Sequence, residues 1–359
     1  MKRRIFALTL AALLCLGLFA GCAGGEQTPN GAANGAVAQA VQSGTLNYYF
    51  MAGDGGHYYS DESYMTKWGD SCLLVFPNGQ TMLIDASLDT YYPRLKERLE
   101  ELEIEKLDYI VFTHPHYDHC GGAWAGLMTD FEIGQVYHNG MKNSSWKEDA
   151  HIENICAANN IACSVLAKGD SLAIGDVTMK VLWPGEDEKN DLASYGNHSG
   201  AINCLSLVMR FDYGEHSSLF TGDLYKTYKG GTLEQEQTNG HQIPDHLGAE
   251  ELITAMYTNG ELDVDLLKLP HHGDPSTSNS AAFFAATSPK IAVATGFLPI
   301  EDYLSVYKSR GYSGFVLFDR KYGYVHVTAT NDGKMQYESS RSDYLPGFGK
   351  VWNKELESK

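Results

Sequence analysis

A buried strand that ends in a cluster of histidine and aspartate side chains constrains this chain more than any other stretch. Residues 107–112 form a bulky apolar run without clean alternation, which is typical of a strand buried on both faces. The next ten residues read THPHYDHCGG, so four candidate metal ligands follow the strand within six residues. The fold therefore has to hold these side chains together at the end of a strand.

The spacing of the four side chains suits two metal ions. His114 and His116 are two residues apart, so in an extended segment they project to the same side and can bind one ion. Asp118 and His119 lie beyond the bend and can face a second ion. Imidazole and carboxylate groups suit zinc and related ions, and a pair of ions can hold a hydroxide for hydrolysis. A polar surface loop is the alternative, and the position after a buried strand argues against it.

Other polar groups also follow apolar runs. Asp85 comes after residues 81–84, Asp223 lies in a Thr-Gly-Asp turn, and His271 and His272 follow the apolar run 264–269. Functional groups at the ends of several strands converge on one edge of a sheet. We therefore expect these groups and the histidine block to form one site.

Taken in order, these motifs resemble those of the metallo-β-lactamase superfamily over about residues 46–330. Finer features resemble the subfamily that holds the ComEC-type competence-protein hydrolase domains and the cell-wall phosphorylcholine esterases. These features are Gly69-Asp70-Ser71, Asn203 with Ser206-Leu207-Val208, Thr221-Gly222-Asp223-Leu224 and Leu269-Pro270-His271-His272-Gly273. The resemblance implies an α/β fold, the four-layer αββα sandwich, and phosphodiester hydrolysis at a dinuclear metal centre with a bridging hydroxide. The alternation of strands and helices in two halves independently favours two sheets covered by helices. Within this alternation, residues 146–159 are predicted as a helix and residues 186–200 as a polar loop.

The resemblance also implies a ligand set for two divalent ions, which we expect to be zinc, with manganese or iron as alternatives. The residues of this set are His114, His116, Asp118, His119, Asp223, His271 and His272. His114 and His116 would bind the first ion. Asp118, His119 and one histidine of the last pair would bind the second, and Asp223 would bridge both.

Two further residues would act outside the ligand set. Asp85 would orient a ligand histidine, and Asn203 stands where the superfamily usually has a third histidine for the first ion. His198 is the other candidate for that place, so the first ion is expected to be weakly held, completed by water or labile. Leaving-group protonation would fall to Asp118 or the spare histidine, and we take Asp118 and His272 as the candidate catalytic residues.

The first residues predict export. A basic segment is followed by apolar residues 5–18 and by Ala20-Gly21-Cys22, which resembles a bacterial lipobox in which Cys22 is acylated. The predicted segments are a lipoprotein signal peptide at 1–22, a flexible linker at 23–44, the hydrolase domain at 45–340 and a polar tail at 341–359. The protein would be an exported lipoprotein, anchored through Cys22 on the outer face of the bacterial cytoplasmic membrane. An ordinary cleaved signal is the alternative.

Outside the leader, the cysteines are too few and too scattered for a disulfide framework. They are Cys72, Cys120, Cys156, Cys163 and Cys204. One bridge is possible, and Cys156 and Cys163 are the nearest pair in sequence.

The charge of the chain restricts its substrates. A net charge of −18 repels polyanions and argues against a protein that tracks along nucleic acid. We expect a small-molecule or cell-envelope substrate, in which a quaternary ammonium group could contact the aromatic side chains, and the sequence indicates no protein partner. Two other functions stay open. One is hydrolysis of a β-lactam or lactone, and the other is a non-catalytic lipoprotein that binds an envelope ligand.

Overall fold

The structure is a computed structural model that describes residues 35–51, 69–193, 199–226, 248–295, 300–318 and 324–339. The predicted signal peptide with Cys22, residues 23–34 of the predicted linker, His198 and the predicted tail at 341–359 lie outside the described residues.

The first sheet has eight strands. They are β1 (Leu46–Phe50), β2 (Cys72–Val75), β3 (Thr81–Ile84), β4 (Lys106–Phe112), β5 (Glu132–His138), β6 (Ala162–Val165), β14 (Val325–Ala329) and β15 (Met335–Ser339). Their order across the sheet is β15-β14-β1-β2-β3-β4-β5-β6. Strands β3 to β6 pair in parallel, so their carboxyl ends, including that of β4 with the histidine block, lie at one edge.

The second sheet has seven strands. They are β7 (Ser171–Ile174), β8 (Val177–Trp183), β9 (Val208–Tyr213), β10 (His216–Phe220), β11 (Leu266–Lys268), β12 (Ile291–Ala294) and β13 (Phe315–Phe318). Their order is β13-β12-β11-β10-β9-β8-β7, and β10 to β13 pair in parallel. The carboxyl ends of β10 and β11, which precede Asp223 and the His271-His272 pair, are therefore neighbours.

Helices flank the sheets. They are α1 (Ala36–Ser43), α2 (Tyr92–Glu101), α3 (Tyr117–Gly122), α4 (Met128–Asp130), α5 (Ile152–Ala158), α6 (Glu186–Ala193), α7 (Ser199–Cys204), α8 (Ala249–Met256), α9 (Ala281–Thr287) and α10 (Ile300–Ser309). Short 3₁₀ turns cover Asp89–Tyr91, Glu148–Ala150 and His271–Gly273, and a π-helical turn covers Ala123–Leu127. Within the described part of the chain, none of the helices has the length and apolar character needed to span a membrane.

Side-chain alternation in the first sheet explains its two buried faces. In β2, Leu74 belongs to the core between the two sheets, which also contains Trp183 and Phe211. Leu73 points to the opposite core, where Leu99 of α2 packs. Each fully buried leucine contributes about 1.5–3 kcal/mol, so both faces stabilise the sheet. The predicted α/β sandwich of two sheets flanked by helices is confirmed.

Several element predictions differ from the structure. Residues 36–43, predicted as part of a flexible linker, form α1, because Ala36 and Ala40 are small enough to pack closely on the core. Residues 186–200, predicted as a polar loop, contain α6 and the start of α7. The acidic first turn of α6 favours the positive end of a helix. The helix predicted over residues 146–159 begins only at Ile152, and β7 and β15 were not predicted.

The cysteines within the described residues are all free thiols in the structure. Cys156 lies in α5 and Cys163 in β6, and the two side chains pack in the same outer core. The bridge between them that the sequence allows is not formed in the structure.

Candidate metal centre

The histidine block follows strand β4 directly. Two glycines in the next helix, α3, let that helix lie close to the sheet. His116 precedes α3, and its carbonyl accepts hydrogen bonds from the backbone of His119 and Cys120. A Cβ on Gly121 would lie 2.2 Å from the backbone nitrogen of Asp89, and one on Gly122 would lie 2.5 Å from the carbonyl oxygen of Ala86. Only glycine permits this approach, which brings His119 to the end of β3.

The other segments reach the same edge through tight, strained turns. Asp85 after β3 and His272 after β11 have positive φ angles of 59° and 55°. Such a conformation costs a non-glycine residue of order 1–3 kcal/mol and is concentrated at functional sites. Gly222, which precedes Asp223, has a φ of 49°, and a Cβ there would lie 2.7 Å from that of Ser206.

One carboxylate oxygen, Asp223 Oδ2, lies at the centre of four imidazoles. The ring nitrogens near it are His119 Nε2 at 3.2 Å, His272 Nε2 at 3.5 Å, His114 Nε2 at 3.8 Å and His271 Nε2 at 3.9 Å. Ligands at 2.0–2.2 Å from a tetrahedral ion are about 3.4 Å apart, so these separations match those of atoms that share an ion.

The side chains fall into two groups that share Asp223. The first group contains His114, His116 and Asp223, and the second contains Asp70, His119, Asp223 and His272. Within each group the candidate ligand atoms all lie within 4.8 Å of one another. Asp118 adjoins the second group, because its Oδ2 lies 3.4 Å from His272 Nε2. The arrangement therefore offers two adjacent metal positions.

Two observations show that divalent ions fit these positions. His119 Nε2 is buried and makes no hydrogen bond within the described residues. Buried polar atoms without partners are rare in proteins, and an ion supplies the missing partner. Imidazole and carboxylate donors suit zinc, manganese and iron, so the chemistry of the donor set agrees with the geometry.

Asp85 holds His119 in place. Its Oδ2 lies 2.8 Å from His119 Nδ1, and the carboxylate accepts hydrogen bonds from the backbone and hydroxyl of Thr113 at 2.8 and 2.7 Å. This leaves His119 Nε2 directed at Asp223. Burial raises the pKa of Asp85. Burial also opposes protonation of His119, but the carboxylates of Asp223 and Asp85 outweigh it and hold the pKa of His119 well above its usual range.

The two halves of the centre differ in charge. Burial lowers the pKa of His114 well below its ordinary value and that of His116 to about 4, so both rings are neutral and can coordinate at pH 7. In the second group, burial of His272 is outweighed by Asp223 and Asp118, which raise its pKa to about 9. A metal ion therefore has to displace protons from the second group, which makes binding there pH-dependent.

The geometry distinguishes His271 from His272, which the sequence could not do. His272 is 2% exposed and belongs to the second group. His271 is more exposed, and its Nδ1 lies 2.5 Å from the hydroxyl of Thr277. We infer that His272 is the metal ligand. The spare histidine is then His271, and the role of His272 as a catalytic residue stays a prediction.

All seven predicted ligands converge on the site, and the residues around it include Asn203, which the sequence analysis named, and others that it missed. Asn203 is buried on α7, and its Oδ1 has no hydrogen-bond partner among the described residues. Ser199, one turn earlier, lies 3.4 Å from His116 Nε2. Asp70 had no assigned role, and Lys268 was not considered. The signal for Lys268 is a single lysine within an otherwise apolar strand, the run that precedes the His271-His272 pair.

Replacing His271 and His272 by alanine, one at a time, tests which of the two binds the metal. His272→Ala is expected to lose one of two bound ions, because it removes a ligand from the second group. His271→Ala, the matched control one residue away, is expected to keep both ions. Metal content by mass spectrometry after desalting measures the difference. Loss of an ion from His271→Ala and retention in His272→Ala would reverse the assignment.

Part of the chain matches one family of known proteins. Residues 65–149, which include β2 to β5 and the histidine block, match the family described as the metallo-beta-lactamase superfamily. The match covers 85 of the 359 residues of the chain and contains the histidine block. No curated protein sequence is significantly similar to the chain.

Solved structures with a similar course of the chain are distant in sequence. The metallo-beta-lactamase fold protein YhfI from Bacillus subtilis has a TM-score of 0.43 and 14% identity, over 77% of this chain and 97% of its own. A putative metal-dependent hydrolase from Parabacteroides distasonis has a TM-score of 0.41 and 15% identity, over 77% and 94%. The diiron β-hydroxylase CmlA from Streptomyces venezuelae has a TM-score of 0.43 and 13% identity, over 79% and 54%. We therefore infer function from the residues of this chain.

Proposed function

We propose that this protein is a metal-dependent hydrolase that cleaves phosphodiester bonds at a dinuclear centre. The observation that carries the proposal is the convergence of two groups of imidazole and carboxylate ligands on Asp223 Oδ2. The choice of phosphodiesters is supported by the motifs around Asp70, Asn203 and the His271-His272 pair, which resemble those of phosphodiester-cleaving relatives. Zinc is the favoured metal, with manganese and iron as alternatives.

Different residues of the chain would have different roles in such a reaction. Two bound ions would lower the pKa of water and neutralise charge on the phosphoryl oxygens. His114, His116, His119 and His272 would hold the ions, with Asp223 between them. His271 would face the substrate, since the contact with Thr277 fixes one ring nitrogen and leaves the other directed into the site. Asp118 would hold the second ion, and its ionised carboxylate would take a proton from the attacking water and pass it to the leaving group.

The substrate class follows from the charge of the protein and its predicted location. A net charge of −18 disfavours long polyanions, so we favour a small-molecule or cell-envelope phosphodiester over nucleic acid. Export and anchoring through Cys22 remain part of this proposal and are supported by the sequence pattern of residues 1–22.

A substrate panel with metal analysis tests the proposal. The panel contains bis-p-nitrophenyl phosphate, p-nitrophenyl phosphorylcholine and a chromogenic cephalosporin. We expect about two ions per chain and turnover of at least one phosphodiester. Asp118→Asn is expected to reduce kcat/KM by about 100-fold, because it removes both a charge beside the ions and the carboxylate that would relay the proton to the leaving group.

The controls separate this function from its alternatives. Asp332→Asn makes the same change at an exposed turn and is expected to keep the parental rate. Hydrolysis of the cephalosporin and of no phosphodiester in the panel would indicate a β-lactam hydrolase. Protein that binds no stoichiometric metal would favour a non-catalytic binding protein.

A further inference from the structure

A buried lysine lies beside the shared carboxylate of the metal centre. Lys268 ends β11, and its side chain is 3% exposed. Its ammonium group forms an ion pair with Asp70, donates a hydrogen bond to the carbonyl oxygen of Gly222 at 2.9 Å and lies 3.9 Å from Asp223 Oδ1. Burial lowers the pKa of Lys268, but Asp70 and Asp223 outweigh burial and raise it, so the side chain stays charged.

The charge at this position is not explained by packing. Leu266, Leu267 and Leu269 surround Lys268 in sequence and are completely buried, so an apolar residue would fit the local pattern. Burying an ammonium group costs several kcal/mol unless a carboxylate compensates it. Asp70 supplies that compensation. A charge kept at this cost inside a core indicates a role that an apolar side chain could not fill.

The two oxygens of Asp223 face different surroundings. Oδ2 faces the four imidazoles, whereas Oδ1 faces Lys268. The backbone next to this carboxylate is also fixed, because the amide of Asp223 donates to the hydroxyl of Ser206 at 3.0 Å and Lys268 holds the preceding carbonyl. Lys268 thus contacts both the peptide and the carboxylate that carry the shared ligand.

Asp70 connects this lysine to the other half of the sandwich. Lys268 ends β11 and Asp223 follows β10, both in the second sheet, whereas Asp70 precedes β2 of the first. The amide of Asp70 donates to the carbonyl oxygen of Asp118 at 2.9 Å, so the ion pair joins the loop of the histidine block to the turn of Asp223. The two sets of ligands are therefore tied together by one buried pair of charges.

We propose that Lys268, held by Asp70, is a positioning residue that keeps Oδ1 of Asp223 away from the metal positions, so that Oδ2 alone is shared between them. Asp70 then serves as the partner of Lys268, although its carboxylate lies close enough to be counted with the second group. This inference rests on the proposed metal-dependent function. Without Lys268, Oδ1 becomes available as an additional donor, and the coordination of the bound ions changes.

Cobalt substitution of the full chain tests this inference without relying on activity. The intensity of the visible Co²⁺ bands reports coordination geometry. We expect Lys268→Met, which keeps the length of the side chain and removes its charge, to bind Co²⁺ with weaker visible bands per ion than the parent. If a substrate from the panel is turned over, kcat is expected to fall about tenfold with KM little changed. Lys290→Met, which removes another largely buried lysine paired with Asp265, is expected to keep the parental spectrum.

A second variant separates positioning from stability. Lys268→Met leaves Asp70 buried without its partner and can unfold the protein, so the variant with both Lys268→Met and Asp70→Asn removes the two charges together. We expect this double variant to fold and to show the same spectral change. A parental spectrum in the folded double variant would overturn the inference and leave the metal centre intact. A parent that binds no Co²⁺ would overturn the proposed function itself.

Discussion

Replacing Asp223 by asparagine is expected to abolish metal binding at both positions and to lower kcat/KM by more than about 100-fold. A loss of about 100-fold is the upper end for residues that only support metal ligands, and Asp223 is itself a predicted ligand. The carboxylate belongs to both ligand groups, so its charge serves two ions at once. Asparagine preserves the size of the side chain and removes that charge. Metal content after dialysis against buffer with defined zinc, followed by turnover of the phosphodiester panel, measures both effects.

The matched control is Asp212→Asn in β9, which makes the same change at a carboxylate paired with Lys180 and Arg210 away from the site. It is expected to retain two ions and the parental rate. Should Asp223→Asn keep two ions, the two positions would not share this carboxylate and the proposed centre would be wrong. Circular dichroism of both variants distinguishes loss of metal from loss of the fold.

The position of the ligands could be predicted from the sequence because each follows an apolar strand. The run before His114 is hydrophobic enough to be recognised as buried, and parallel strands bring their carboxyl ends together. Most residues of the candidate site can therefore be identified from the sequence. They are Asp85, the histidine block, Asp223 and the last histidine pair. The two-sheet architecture follows from the same runs.

The other features of the site could not be predicted, because they depend on contacts between residues that are far apart in the sequence or on the backbone conformation of a turn. Adjacent histidines look equivalent in sequence, but the positive φ angles of their turn direct His272 to Asp118 and Asp223 and His271 Nδ1 to Thr277. Lys268 looks like a solvated residue until Asp70, almost 200 positions earlier in the chain, is placed beside it. Helix α7 was hidden because its residues carry little amphipathic pattern, although it places Ser199 against His116.

A second buried polar cluster, unrelated to the metal centre, lies between the sheets. Tyr48 of β1 contacts His216 Nε2 at 2.9 Å and the hydroxyl of Ser218 at 3.0 Å. His216 Nδ1 lies 3.8 Å from Asp265, whose other oxygen lies 3.5 Å from Lys290. His216 is 1% exposed, and burial outweighs Asp265 and lowers its pKa from 6.5 to about 4. This histidine is therefore neutral in the folded protein at pH 7.

His216 is expected to make the folded protein sensitive to mild acid. Between the unfolded pKa of 6.5 and the folded pKa of about 4, the unfolded state binds more protons, so the free energy of unfolding falls as the pH falls. The contribution is fully present above pH 6.5. About 2 kcal/mol is lost between pH 7 and pH 5, and about 3 kcal/mol over the whole titration. Urea unfolding at pH 7 and pH 5 in the presence of a chelator measures the change.

Two variants isolate this histidine from the others. His216→Gln is expected to lose less stability than the parent between pH 7 and pH 5, by about 2 kcal/mol, because it removes the titrating group. Tyr48→Phe removes the hydrogen bond but leaves the imidazole buried, so it should be less stable at both pH values and keep the parental pH dependence. The chelator removes bound metal from every sample, so the histidines of the metal centre contribute equally to each. An unchanged pH dependence in His216→Gln would show that protons are taken up elsewhere and that burial of this ring does not control acid stability.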